Sequence, residues 1–166
     1  ALIPVDARAA QDVIGRMADM FRYTMAASDT EAVTLEQELQ FVHDYLAVES
    51  ARYRDRLRFS VAAANGTSDV RLPGLTLQPL VENAIRHGIA KRLGGGRVHL
   101  DIAHDGRRCT ITVRNDFEPS YGDPDLRPAA LFRAGHALAN IRERLRLVCG
   151  AEARIEVTRD GEWVAS

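Results

Sequence analysis

Three side chains suited to metal and phosphate chemistry lie within one apolar stretch, residues 75–88. Glu82 and Asn83 are adjacent, and His87 follows Asn83 by four positions, so that the amide and the imidazole share one face of a helix. A hydrated Mg²⁺ ion needs few protein oxygens when waters and polyphosphate oxygens complete its coordination. The spacing therefore favours a magnesium polyphosphate site with Asn83 as the metal ligand.

Further groups in the chain could bind phosphate. His87, Lys91 and Arg92 would neutralise negative charge, and Gly135 would let backbone N–H groups at the start of a later helix approach an anion. Each feature also has a structural interpretation: a Glu–Asn pair is typical of a solvated helix edge, a His of a helix end and a Gly of a turn. Their joint order along the chain favours the nucleotide-binding interpretation.

A helix must position these groups, because the stretch has the apolar periodicity of a helix with one buried face. Pro79 falls in its first turn, where a missing backbone N–H is tolerated, and Gly88 is predicted to end it. The apolar positions are Leu77, Leu80, Val81, Ala84 and Ile85.

The remaining pattern predicts a two-layer α/β sandwich. Tight turns between successive strands imply antiparallel pairs, and the helices between strands supply one covering layer, which gives a mixed, mostly antiparallel sheet with a helical segment at its N-terminal side. A capping box at Thr34–Gln37 marks the start of the second helix. The predicted helices span about 6–27, 34–53, 75–88 and 136–149, and the strands 57–63, 97–103, 108–114, 153–158 and 162–165.

Two segments have features that suggest a function beyond the fold. Ile14, Ala18, Phe21 and Met25 form an apolar stripe on the first helix, which is predicted to pack on the domain or, preferably, on a second copy of itself. Residues 115–135 are rich in Pro, Gly and Asp and predict a long loop that acts as a lid, with a tolerated surface insertion as the alternative.

The amino-acid composition limits the classes of protein to which this chain could belong. In 166 residues, 46% are hydrophobic, which is enough for one domain with a sizeable core. Lys and Arg (22) nearly balance Asp and Glu (23), so no global basic field favours nucleic acid. Cys109 and Cys149 are too few for a metal cluster or a disulfide framework and fit a reducing compartment. The sequence shows neither a membrane-spanning run nor a secretory signal, and the last predicted strand reaches the final residues, so we expect a fragment truncated at both ends.

The motifs resemble those of a known family. The stretch Leu77–Gly88 resembles the N box of LytS-type sensor histidine kinases, which are Bergerat-fold (GHKL) ATPases like gyrase, Hsp90 and MutL. Segments within 21–53 resemble the helical region that precedes the ATPase domain in these kinases, and 135–145 resembles their second glycine box. The resemblance covers nearly the whole chain and is closest to the AlgZ/FimS-like branch.

The resemblance implies a dimeric histidine kinase that binds Mg-ATP. The γ-phosphoryl group would pass to a histidine in a Pro-His-Phe-Leu-Phe-Asn motif upstream of Ala1 and then to a response regulator, and His43 is not a substitute acceptor. Residues 1–30 would be the end of the dimerisation segment and 31–166 the catalytic domain. The domain would lie in the cytoplasm, with the full-length protein anchored at the bacterial inner membrane by regions outside this chain.

Site roles follow from the resemblance residue by residue. Asn83 would hold Mg²⁺, and Glu82 would act as the base or hold a metal-bound water. The adenine amino group would be bound by Asn115, which aligns with the adenine-binding Asp of related kinases, or by Asp116 after a shift of one residue. The candidate nucleotide-binding residues are Asn83, His87, Lys91, Arg92, Asn115, Asp116, Gly135, His136, Leu138 and Asn140.

Two other functions remain as alternatives. The chain lacks the glycines that follow the adenine-binding acid in related kinases, and it has Gly135-His136-Ala137 where Gly-x-Gly is commoner. These departures are the basis for a degenerate, non-catalytic GHKL scaffold that serves signalling and dimerisation. A relative that binds nucleic acid or client proteins is the third alternative, which the balanced charge disfavours.

Overall fold

A five-stranded mixed sheet underlies the fold in the computed structural model, which describes residues 7–28, 30–90, 92–116, 132, 137–159 and 163–165. The strand order is β2-β4-β5-β7-β6; β2 pairs with β4 in parallel, and the other pairs are antiparallel. The strands of this sheet are β2 (Leu57–Ala63), β4 (Gly96–His104), β5 (Cys109–Asn115), β6 (Val157–Arg159) and β7 (Trp163–Ala165). The predicted two-layer α/β sandwich with a mostly antiparallel sheet is confirmed.

Helices cover one face of this sheet. The α-helices are α1 (Ala7–Ser28), α2 (Leu35–Tyr53), α3 (Leu77–Ala84), which continues as a π-helical turn (Ile85–Ile89), and α4 (Ala137–Cys149). Along β4, Val98, Leu100 and Ile102 are buried and alternate with more exposed residues, as a strand with one covered face requires. These side chains form a single core with Leu77 and Val81 of α3.

The predicted capping box at the start of α2 is confirmed. The Thr34 hydroxyl accepts a hydrogen bond from the Gln37 backbone N–H, and the Gln37 side chain accepts one from the Thr34 backbone N–H. Leu35, Val42 and Leu46 are buried on the core side of the helix. The cap therefore fixes the start of a helix whose apolar face is set by its sequence.

Several local features differ from the sequence prediction. A second, two-stranded sheet pairs β1 (Val33–Thr34) with β3 (Arg71–Leu72). No local sequence pattern predicted this long-range contact. The predicted strand 153–158 is wrong over 153–156, because the ladder with β7 pairs only Val157–Arg159. Most of the predicted lid at 115–135 lies outside the described residues.

Two charged side chains on helices contact other segments of the chain. Arg144 on α4 donates a hydrogen bond from its Nη2 to the Gly74 carbonyl oxygen at 2.5 Å. Asp44 is buried, whereas its neighbour His43 is exposed. The Asp44 carboxylate forms an ion pair with Arg16 of α1 at 2.5 Å and accepts a hydrogen bond from Gln40 at 3.0 Å. Both contacts attach one helix to a distant segment of the chain.

Candidate functional site

The helix that carries Asn83 and His87 changes geometry in the middle of the candidate site. Regular α-helix ends at Ala84, and a π-helical turn carries the chain through His87 and Gly88 to Ile89. The prediction that Gly88 ends the helix is therefore wrong. Single π turns inside helices occur frequently at functional sites.

Gly88 is instead required by a close contact with the end of β5. A Cβ atom at this position would lie 2.4 Å from Asn115 Nδ2 and 2.6 Å from the Asp116 carbonyl oxygen. Only a residue without a side chain allows this approach. The contact sets the last turn of the central helix directly against Asn115, one of the two predicted adenine-binding residues.

Asn83 has a side chain with one free hydrogen-bonding group. Its Oδ1 accepts a hydrogen bond from Arg86 Nη2 at 2.9 Å, while its buried Nδ2 has no hydrogen-bond partner among the described residues. A buried amide donor without a partner costs about 1–3 kcal/mol, so such groups call for a ligand or a water molecule. The Asn83 side chain thus has an unmet polar requirement.

His87 lies one turn further along the same helix and is half-buried. Arg86 Nε contacts His87 Nε2 at 3.2 Å, so the guanidinium group lies between the amide of Asn83 and the imidazole. The structure therefore brings the predicted amide and imidazole together, with the guanidinium of Arg86 between them.

Glu82 is directed to a different side of α3. Its Oε1 accepts a hydrogen bond from Gln78 Nε2 at 2.6 Å. Burial, followed by the negative charges of Glu49 and Glu82, raises the pKa of the Tyr45 hydroxyl on α2 well above its usual range. The carboxylate of Glu82 therefore lies towards α2, about 100° around the helix from Asn83.

The two candidate adenine contacts have different surroundings. Asn115 is buried, with its Nδ2 donating to the Asp116 carbonyl oxygen at 3.0 Å. The Asp116 carboxylate accepts from the backbone N–H and the guanidinium of Arg97, at 3.0 and 3.3 Å. Burial works against ionisation of Asp116, but the hydrogen bonds and charge of Arg97 outweigh it and lower the pKa of this carboxyl. Asn115 is therefore the side chain that lies against the central helix.

The other predicted site residues are only partly brought together. Arg92 follows the π turn, where its carbonyl oxygen accepts from Arg56 Nη2 at 2.6 Å and its charge helps to lower the pKa of Asp116. On α4, Leu138 is buried in the core and Asn140 is exposed. Lys91, Gly135 and His136 lie outside the described residues.

A scan against protein families matches the Histidine kinase model to residues 1–57. Over 174 residues, the chain is 30% identical to the sensor protein LytS of Staphylococcus haemolyticus, covering 99% of this chain and 30% of that protein. The sensor histidine kinase YpdA of Escherichia coli is 32% identical over 94% of this chain and 28% of its own length. The chain is similar to the LytS-type sensor histidine kinases along nearly its whole length. It spans less than a third of the length of these two relatives.

Solved structures place this LytS-type chain in the fold of the histidine kinase ATPase domain. The histidine kinase AdeS of Acinetobacter baumannii matches with a TM-score of 0.56 and 13% identity, over 92% of this chain and 76% of that one. At this identity the match establishes the fold and not the site chemistry. Among the described residues, no helix combines the length and the apolar character that a bilayer crossing demands.

The described part of the kinase chain does not offer a metal site built from several ionisable side chains. No group of three or more His, Cys, Asp or Glu residues within it could hold a metal ion. A magnesium ion here would rest on Asn83 Oδ1 together with substrate phosphates and waters, a donor set that suits Mg²⁺. Arg86, which now donates to that oxygen, would have to move to a phosphate.

Sequence reasoning missed one polar residue beside the candidate site. Glu38 is only 1% exposed, and its carboxylate binds the start of the central helix. A signal was available, because Glu38 falls three residues after Leu35 and four before Val42, inside the apolar stripe of α2. An acid in such a stripe requires a buried partner.

Proposed function

We propose that this chain is the ATP-binding catalytic region of a sensor histidine kinase. It transfers the γ-phosphoryl group to a histidine upstream of residue 1, from which a response regulator receives it. One observation carries the proposal: Asn83, whose buried Nδ2 has no partner among the described residues, lies two residues before a π-helical turn whose Gly88 is packed against Asn115. A phosphate-binding end and a base-binding end are thereby joined within one short segment.

The proposed chemistry depends on positioning and on charge neutralisation, as is usual in phosphoryl transfer. When bound, Mg²⁺ supplies charge stabilisation at the β- and γ-phosphates. Asn83 offers one oxygen to the hydrated ion. Arg86 exchanges its hydrogen bond to Asn83 for a phosphate oxygen, and His87, Lys91 and Arg92 neutralise the remaining charge.

The adenine-binding end of the proposed site uses the buried amide of Asn115. Its Nδ2 is engaged by the Asp116 carbonyl oxygen, which leaves Oδ1 to accept a hydrogen bond from the exocyclic amino group of adenine. Asp116 supports this end indirectly, because Arg97 holds its carboxylate. Gly135, His136, Leu138 and Asn140 are the remaining nucleotide-binding residues in this proposal.

Glu82 is the proposed general base or water-holding carboxylate. Its present partner is Gln78. Its charge contributes to the raised pKa of the Tyr45 hydroxyl, which places Glu82 on the α2 side of the central helix. In that position the Glu82 side chain is next to that of Asn83 along the helix but points in a different direction. A general base needs hydrogen-bond reach of the proton it accepts, and catalytic contacts often tighten only when substrate is bound.

A non-catalytic GHKL scaffold is the second candidate, and the adenine end favours it. An amide replaces the family's acid at Asn115, and the neighbouring carboxylate of Asp116 is already held by Arg97. An amide oxygen is a weaker acceptor than a carboxylate because it carries no charge. A scaffold of this kind would keep the fold and the dimer while losing the nucleotide.

Calorimetry of the purified chain with ATP separates the two candidates. Wild type and Asn83→Ala are titrated with ATP in Mg²⁺ and again in chelator, with Asn65→Ala, an exposed turn amide, as the matched control. We expect Asn83→Ala to weaken binding at least roughly tenfold in Mg²⁺ and much less in chelator, since it removes a metal ligand. Thermal unfolding of each variant confirms that the comparison is between folded proteins.

Two results would reject the catalytic assignment. Absence of heat at millimolar ATP would leave the scaffold as the better account. Equal affinity of wild type and Asn83→Ala in Mg²⁺ would show that Asn83 is not the metal ligand.

A further inference from the structure

A buried carboxylate joins three helices at the start of the central helix. Glu38 of α2 is 1% exposed. Its Oε1 accepts from the Leu75 backbone N–H at 2.6 Å, and its Oε2 accepts from the Leu77 backbone N–H at 2.7 Å. The hydroxyl of Tyr23, on α1, donates to the same Oε1. One side chain thus receives hydrogen bonds from α1 and from the first residue of α3.

Glu38 acts as the cap that α3 does not supply for itself. The first backbone N–H groups of a helix have no partner within the helix, and residues such as Thr at the N-cap usually satisfy one of them. Thr76 stands at the N-cap, but it has helical backbone angles and its hydroxyl donates to the Pro73 carbonyl oxygen at 2.6 Å. The carboxylate of Glu38 takes over this role and places negative charge at the positive end of the helix dipole.

The loop that precedes α3, residues 73–76, is held from several sides. Leu75 has a φ of +58°, a left-handed conformation that is costly for a residue with a side chain. A Cβ atom on Gly74 would lie 2.8 Å from the Ala27 side chain of α1. Arg144 of α4 donates to the Gly74 carbonyl oxygen at 2.5 Å. The contacts with α1, α2 and α4 therefore converge on the backbone that starts the central helix.

We infer that Glu38 is a positioning residue for α3, and that the Tyr23–Glu38 hydrogen bond couples the position of α1 to the face of α3 that carries Asn83 and His87. The inference rests on the proposed nucleotide role of that face. Asn83 lies six residues beyond Leu77, about 9 Å along one short helix. A change at the first turn therefore reaches Asn83 through a continuous backbone.

Tyr23 is suited to this coupling because it stays protonated. Burial, followed by the hydrogen bond to Glu38 and its charge, raises the pKa of Tyr23 far above its usual range. The hydroxyl is thus a constant donor. Its ring also packs on Phe41 of α2, with centroids 5.3 Å apart, so removal of the hydroxyl alone leaves the packing in place.

Amide hydrogen exchange on the ¹⁵N-labelled chain tests the inference without any nucleotide. The variants are Glu38→Gln, Tyr23→Phe and the matched control Tyr53→Phe, whose ring lies at the other end of α2 beside Arg52 and Arg56. We expect Glu38→Gln to speed exchange at Leu75 and Leu77 by at least roughly tenfold, because first-turn amides are otherwise unprotected. Tyr23→Phe should speed exchange at the same amides and shift the resonances of Asn83 and Gly88.

Nucleotide titration then measures the coupling itself. We expect Tyr23→Phe to weaken ATP binding by roughly five- to fiftyfold, the usual range for coupling between sites, with Tyr53→Phe unchanged. A merely structural role for Tyr23 would lower the melting temperature and leave the affinity of the folded protein unaltered.

Two outcomes overturn the inference, and they differ from failure of the proposed function. Exchange at Leu75 and Leu77 that is unchanged in Tyr23→Phe would show that Tyr23 does not act through Glu38. Altered exchange at Leu75 and Leu77 with no resonance shift at Asn83 and Gly88 would confine Glu38 to capping. A wild-type chain that binds no ATP rejects the kinase proposal, yet the exchange measurements still decide whether α1 controls α3. If Glu38→Gln does not fold, Tyr23→Phe alone decides the question.

Discussion

At Gly88 the backbone of the central helix runs within contact distance of the end of β5. The neighbouring atoms are Asn115 Nδ2 and the Asp116 carbonyl oxygen, and the second of these belongs to backbone that cannot swing away. The residue therefore sets the separation between the proposed phosphate-binding face of the helix and the proposed adenine-binding amide of Asn115. A side chain here would push the two ends of the site apart.

We predict that Gly88→Ala destabilises the fold by about 1–3 kcal/mol, the usual cost of inserting a group into a packed region. Gly94→Ala is the matched control, because a Cβ atom there meets nothing within 4 Å. Urea denaturation measures both free energies of unfolding. A loss that is equal in the two variants would refute the contact argument.

At the scale of elements, α2 ties the helical segment to the domain. Its N-terminus is fixed by the Thr34–Gln37 capping box, its apolar face packs in the core, and its buried Asp44 pairs with Arg16 of α1. Because Glu38 also lies on α2, the position of this helix determines where the carboxylate meets α3. The Thr34–Gln37 capping box therefore contributes indirectly to the position of α3 and of the proposed site.

Thr34→Ala should cost about 1 kcal/mol in free energy of unfolding, since it removes the oxygen that accepts from the Gln37 backbone N–H. Thr34→Ser keeps a hydroxyl at the same place and should stay close to wild type. Thermal and urea denaturation of the three proteins provide the comparison. Equal loss in the Ser and Ala variants would mean that the methyl group, not the cap, matters.

At the scale of the whole molecule, α1 presents two different faces. Arg16, Tyr23 and Ala27 face α2 and the loop before α3. The opposite face is apolar and exposed in the described structure. Its members are Ile14 (66% exposed), Met17 (45%), Phe21 (69%) and Met25 (72%). A stripe with steps of three and four residues matches the seam of a helix pair, so the homodimer remains our prediction for this face.

Phe21→Glu should convert a dimer into a monomer, because it places a charge in the centre of the proposed seam. Leu147→Glu is the control, since Leu147 is an apolar residue of α4 that is 78% exposed and lies outside the stripe. Light scattering over a range of concentrations measures the mass of each protein. A wild-type chain that stays monomeric at high concentration would count against the seam.

The sequence by itself determined the helices and the β4–β5 hairpin, because their signals are local. Apolar spacing placed the helices, the Thr34–Gln37 box placed the start of α2, and the Asp105–Gly106 turn placed the hairpin of β4 and β5, where Asp105 accepts from two backbone N–H groups. Each of these features depends on residues only a few positions apart. The N-box resemblance likewise came from one continuous stretch, and it led to the kinase family.

Only the tertiary structure decided the contacts between distant segments. Sequence left the adenine contact open between Asn115 and Asp116, and the fold turned Asn115 towards Gly88 while Arg97 held Asp116. It also gave Glu38 its partners, one of which, the Leu77 backbone N–H, lies 39 positions away. Local patterns carry no record of such pairings, because a hydrogen bond across the chain depends on where packing brings two segments together.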